Sequence, residues 1–144
     1  MKKLAVLLVA IVAIFGVAKA DNDRPVNVNQ LPKAAQVFVK KHFAGKQVAL
    51  AKEDKGFINS SYDVIFTDGT KVEFDGKGNW KEVKCSKVPV AIVPAQIAAK
   101  ARELYKDAVI VKIEKKDNGG YEVKLSNRQE LEFNRQLQLT DIDD

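Results

Sequence analysis

The chain has 144 residues, 24 of them Lys or Arg against 19 Asp or Glu, with one Cys and one His. A lone thiol excludes an internal disulfide framework, so stability has to come from packing. Both charge signs are interspersed, as in Lys52-Glu53-Asp54-Lys55 and from Lys112 to Asp117, which excludes the one-sided basic patch of a nucleic-acid binder and reads as an ordinary solvated surface.

The N-terminus is taken first. Met1-Lys2-Lys3 is followed by the uncharged apolar stretch from Leu4 to Ala18, then by Ala18-Lys19-Ala20 and the polar run Asp21-Asn22-Asp23-Arg24. This is the three-part layout of a secretory signal peptide, with cleavage expected after Ala20. The apolar run is shorter than the ~20 residues of a bilayer span. No cysteine follows it, so a lipid anchor there is chemically excluded. Cleavage leaves 124 of the 144 residues, enough for one compact domain with a core of its own. Lys2, Lys3 and Lys19 leave with the signal, so 21 of the 24 cationic residues remain against 19 acidic ones, a net charge of about +2. A soluble periplasmic or secreted protein is expected, with neither nucleic acid nor membrane as partner after cleavage.

Two helices are predicted, each led by a proline. From Leu31 the apolar positions Ala35, Phe38, Val39 and His42 return at helical spacing, with Phe43 at the edge of the stripe; the later stripe is Val93, Ile97, Ala101, Leu104 and Tyr105, interrupted by Lys100. Pro32 and Pro94 stand where a first helical residue belongs, because the missing N–H costs nothing there. Strands follow each helix. Tyr62, Val64 and Phe66 alternate inward, as do Tyr121, Val123 and Leu125, and the next strands present Val72 and Phe74, then Leu131 and Phe133. Facing these sets places Phe66 opposite Val72 and Val64 opposite Phe74 about Gly69, and Leu125 opposite Leu131 and Val123 opposite Phe133 about Arg128. The same register puts Asp63 opposite Asp75 and Lys124 opposite Glu132. Gly76-Lys77-Gly78 then turns the chain into a strand from Trp80 to Cys85.

These elements repeat. Leu31-Pro32, Phe43 and Val48 correspond to Val93-Pro94, Tyr105 and Ile110 at a shift of 62, and Tyr62 to Phe66 and Val72 to Asp75 correspond to Tyr121 to Leu125 and Leu131 to Asn134 at a shift of 59. The expected fold is α+β: a tandem duplication of a helix plus a four-stranded antiparallel meander, forming one antiparallel sheet with helices on one face. Residues 1–20 are the signal, 21–87 the first repeat and 88–144 the second, together one compact body.

The proline-led helix, the Tyr-x-Val-x-Phe/Leu and Val/Leu-Glu-Phe-Asp/Asn strands and the Gly-rich turn before Trp80, repeated behind an export signal, resemble the PepSY-like, beta-lactamase-inhibitor-like exported proteins of Bacteroidetes. The resemblance spans Val28 to Asp144. It implies a periplasmic or secreted location, a fold like that of a proteinaceous inhibitor, and a peptidase-inhibitory or protein-binding role. Arg128 and Asn134 depart from the pattern, replacing a turn glycine and an aspartate, with strain expected at Arg128 if its φ is positive.

Catalytic constellations are not found. His42 corresponds to Leu104 in the other repeat and reads as a packing residue, and nothing in the spacing pairs it with Cys85, itself read as a half-buried strand residue. No nucleophile elbow or zinc-type cluster of His with Glu appears. Asp75, Lys77 and Asn79 fail as a calcium loop, because a lysine occupies the third position and Ser86 the twelfth. No enzyme, metal or cofactor is expected. The remaining candidate is a partner-binding face: Asp63, Ile65, Lys71 and Glu73 with Glu122, Lys124, Glu130 and Glu132, and Trp80 either as an anchor or packed beneath the first helix. The expected function is binding of a periplasmic or secreted protein or peptide through the uncovered sheet face, with a small-ligand or ion carrier as the alternative.

Overall fold

The computed structural model describes residues 23–56 and 59–144; the expected export signal lies outside them. The protein is α+β, with nine antiparallel strands and two α-helices among the described residues. It divides into two compact units, the first ending at Trp80 and the second beginning at Lys81. Among the described residues no helix is long and apolar enough to cross a membrane.

In the first unit β1 (Asp23–Val26) is followed by a 3-10 turn (Val28–Gln30), α1 (Lys33–Phe43), β2 (Val48–Lys55), β3 (Ser60–Phe66) and β4 (Lys71–Asp75). Trp80, where the unit ends, opens β5 (Trp80–Lys84). The four strands lie side by side in chain order. Pro32 is the residue before the helix, not its first: its ψ of 148° is extended, while its carbonyl accepts from Ala35 and Gln36. The buried stripe of α1 is Ala35, Val39 and Phe43, a strict four-residue repeat running on from buried Leu31. This corrects the helix reading at its end. Phe43 is 2% exposed, its ring 5.4 Å from that of Phe66, whereas His42 stands at the half-exposed margin against Phe38. Burial, with the Lys41 charge second, holds the His42 imidazole below its ordinary pKa. Beneath α1 lie Val64, Phe66, Val72 and Phe74, none more than 1% exposed; each such side chain contributes about 1.5–3 kcal/mol by leaving water.

The second unit runs from β5 through a 3-10 turn (Val90–Ile92), α2 (Ala95–Leu104), β6 (Ile110–Lys115), β7 (Tyr121–Leu125), β8 (Glu130–Phe133) and β9 (Leu139–Asp143), again with chain order as sheet order. Its core is Ile97 and Ala101 from α2 with Val83, Ile113, Val123, Leu125, Leu131 and Phe133 from the strands. Leu104 does not join this stripe; it is 39% exposed at the last residue of the helix. Pro94, like Pro32, is extended and precedes its helix. Cys85 is half-buried in the bend after β5, not in the strand, its N–H donated to the Val111 carbonyl.

Five hairpins share one turn. In each, a residue donates its N–H to the carbonyl four residues on and accepts at its own carbonyl from the N–H three residues on: Phe66 with Thr70, Asp75 with Asn79, Lys116 with Gly120, Leu125 with Gln129 and Asn134 with Gln138. This is the three-residue loop in which a type I turn is followed by one left-handed residue. The left-handed positions are Gly69, Gly78, Gly119, Arg128 and Leu137, with φ of 92°, 90°, 90°, 75° and 64°. The expected odd loop length is therefore present, but the loops centre one residue earlier, on Asp68 and Asn127. The pairing consequently slips by two residues: Val64 faces Val72 and Tyr62 faces Phe74, while Val123 faces Leu131 and Tyr121 faces Phe133. A slip of two leaves every side chain on its expected face, whereas a slip of one would have inverted the sheet.

Arg128 is exposed and held at a φ that costs an L-residue about 1–2 kcal/mol. Arg128→Gly should therefore stabilise the protein by about 1 kcal/mol, less the added freedom of glycine in the unfolded chain. The midpoint of urea unfolding measures it, and an unchanged or lowered midpoint would contradict the strain.

Candidate functional site

In each unit the side of the strands turned away from the core carries the candidate residues. In the first unit Asp63 and Glu73 are opposite one another, as are Ile65 and Lys71. On the other side Asp63 meets Lys52 and Ile65 meets Leu50. Asp63 does not face Asp75, whose partner is Ser61. Ile65 is half-buried beside half-buried Leu50 rather than isolated among charges. Lys71 Nζ comes within 4.0 Å of Asp63 Oδ2. Burial raises the Asp63 carboxyl above its usual pKa, and the opposing charges of Lys71 and Lys52 only partly offset this. Because the folded value is the higher one, Asp63 favours folding most below the ordinary carboxylate range, and that contribution is lost as pH rises through the folded value. Asp63→Asn should thus raise stability at neutral pH, the gain shrinking to nothing in acid. Urea titrations at several pH values check the sign, and a gain that grew in acid would refute it.

Trp80 is not on this face. It sits half-buried with its ring centroid 6.4 Å from that of Phe38, on the helix side, so packing beneath α1 is what the structure records. Asp75 Oδ1 is taken by the backbone N–H groups of Lys77 and Asn79. Burial alone would raise this carboxyl, but those donations outweigh it and leave its pKa lowered. Asn134 accepts from Gln136 and Gln138 in the same manner, so an amide oxygen serves the turn as well as a carboxylate.

Glu53 departs from the solvated surface expected of the run Lys52 to Lys55. It is 7% exposed and on the core side of β2, where Arg24 holds it through Nε at 2.9 Å and Nη2 at 2.8 Å. Tyr62 Oη donates to its other oxygen at 3.3 Å. The Arg24 hydrogen bond chiefly holds this carboxyl below its ordinary pKa, as a buried charge requires.

In the second unit the register corrects the Lys124–Glu132 pairing. Lys124 faces Glu130 on one side and Lys112 on the other. Glu132 stands in a row that crosses all five strands: Glu82 opposite Glu114, Glu114 opposite Glu122, Glu122 opposite Glu132, Glu132 opposite Asp141. Beside it runs a shorter cationic row, Lys84, Lys112 and Lys124. Each lateral pair of like charges is destabilising on the scale of about 0.2–1 kcal/mol. The sequence reading missed the carboxylate row because it registered only two of the five strands. Among the described residues no group of three or more His, Cys, Asp or Glu is placed to hold a metal ion.

Comparison with known proteins gives the chain its relatives. A family described as "Putative beta-lactamase-inhibitor-like, PepSY-like" matches residues 60–141. A solved structure from Bacteroides thetaiotaomicron, described as a "putative calcium-regulated periplasmic protein", is 53% identical and superposes with a TM-score of 0.84, covering 87% of this chain and 99% of its own. A Bacteroides vulgatus periplasmic protein of the DUF2874 family is 51% identical, with a TM-score of 0.82 and the same coverage. A second B. vulgatus periplasmic protein, described as of unknown function, is 35% identical with a TM-score of 0.79, covering 85% of this chain and 99% of its own. No curated protein matches the chain. The chain belongs to the beta-lactamase-inhibitor-like, PepSY-like family.

Proposed function

We propose that this protein is an exported periplasmic module that binds another protein or peptide without catalysis, through the sheet face turned away from the core, and that inhibition of a peptidase is one form this takes. The periplasmic descriptions of its relatives support the location. The row from Glu82 to Asp141 carries the reading. Natural sheets set opposite charges laterally, so four successive like-charged pairs are a stability cost that a cationic partner segment would reverse. Immobilised protein, incubated with periplasmic extract, should retain a partner identifiable by mass spectrometry and released by salt. The triple variant E114Q/E122Q/E132Q should retain far less. Equal capture by both, or unaltered peptidase activity together with no capture, would sink the proposal.

The same reading takes the two units as copies of one helix-plus-meander element. Val64, Phe66, Val72 and Phe74 in one unit and Val123, Leu125, Leu131 and Phe133 in the other are all buried, and both units use the same turn.

A second reading, an ion carrier, is favoured by the calcium-regulated description of the 53% identical relative. Calcium that binds only the folded state must raise the melting temperature. A rise with calcium that magnesium does not reproduce and that the triple variant loses would support it; identical melting with and without calcium would exclude it.

A further inference from the structure

We infer that the cleft between α2 and the 3-10 turn before it binds a small amphipathic carboxylate, of the kind of a medium-chain fatty acid. The cleft is about 290 Å³ in volume, just under the ~300–1,000 Å³ of drug-sized ligand cavities, a size for a small ligand. It exists because the flank of α2 facing it carries Ala98 and Ala101, whose side chains leave space where a leucine would fill it. Its floor is apolar: Val88 and Val93 are 3% and 7% exposed. At the mouth Val90 is 71% exposed, an apolar side chain held in water beside an apolar hollow.

The rim is cationic. Lys87, Arg102 and Lys106 line the cleft, and no Asp or Glu does. All three are exposed, and among the described residues none is in an ion pair, whereas Lys100 on the same helix is paired with Glu103 at 3.0 Å. A cleft in the first unit, about 390 Å³ and bordered by Pro25, Val28 and Leu50, is lined by no charged residue, so cationic rims do not simply accompany clefts in this protein. An apolar floor with cations at its mouth sorts ligands by chemistry. A cation is repelled, a small inorganic anion makes no use of the floor, and an uncharged alkane makes no use of the rim. A monoanion with a short apolar tail uses both, with the Arg102 guanidinium able to meet its two oxygens in parallel. This inference is independent of the protein-binding face and stands or falls separately from it.

Octanoate is the probe, titrated into ¹⁵N-labelled mature protein. Saturable shifts confined to amides around the cleft, Val88, Val90, Ala98 and Val109 among them, are expected. Octan-1-ol, with the same tail and no charge, should bind at least ten-fold more weakly. The R102Q/K106Q variant, altered only at exposed positions and so expected to stay folded, should also weaken octanoate at least ten-fold. A98L, with its fold verified from the spectrum, should abolish binding by filling the cleft. No saturable shift, shifts centred elsewhere, equal affinity for octanol, or an unaffected R102Q/K106Q variant would each overturn the proposal.

Discussion

Replacing Phe74 with alanine is expected to remove about 3–5 kcal/mol of stability. Phe74 is wholly buried. The Phe38 ring meets it edge-on at 5.5 Å, and Tyr62 lies directly across the hairpin. Truncation therefore loses the transfer energy of the ring and leaves a cavity that α1 and the sheet can close only partly. Folded domains carry a margin of about 5–15 kcal/mol, so the variant should remain folded at low temperature with a much reduced urea midpoint. Phe74→Leu, which refills most of the space, should recover more than half of the loss. If Phe74→Ala cost under 1 kcal/mol, the first unit would not be organised around this contact.

The second large effect comes from a glycine. At Gly78 φ is +90°, and an added Cβ would lie 2.8 Å from Pro32 Cβ and 2.9 Å from the Ala35 backbone nitrogen. The turn after β4 thus lies hard against the start of α1. Gly78→Ala combines left-handed strain, about 1–2 kcal/mol, with displacement of a helix start that has little room to yield, and should cost 3 kcal/mol or more, roughly. Gly69→Ala is the control, since φ there is +92° but nothing lies within 4 Å of the added atom; it should show the strain alone. Equal losses in the two variants, read from thermal or urea unfolding, would mean that the helix start gives way easily.

How far the sequence revealed this fold can be judged at particular residues. The alternation of Val64 and Phe66, or Val123 and Leu125, identified both strand and face, because period-two burial is written in residue type. The pairing was harder. Gly69 marks the residue needing positive φ, not the middle of the loop, and at Arg128 and Leu137 the same conformation is carried by residues that give no such mark. At the end of α1, Phe43 and His42 are adjacent and both plausible at the margin; the ring of Phe66 decides between them, and only the folded chain supplies it. β1 was invisible because Asp23-Arg24-Pro25-Val26 has no alternation of its own and is tied to β2 by the Arg24–Glu53 pair. Asp63, Ile65, Lys71 and Glu73 share one side of the strands, as alternation predicts, Trp80 lies on the helix side, and the row containing Glu132 emerges only when all five registers are known.

The uniform hairpins bear on how the chain finds its native state. At the five three-residue loops little chain entropy is spent before the first contacts reward it, whereas β1 meets β2 and β5 meets β6 only across a helix. The short hairpins are therefore expected to close before the pairings that span α1 and α2, whose greater sequence separation makes them slower. Early hairpin closure shortens the interval in which unpaired strands are exposed to other molecules.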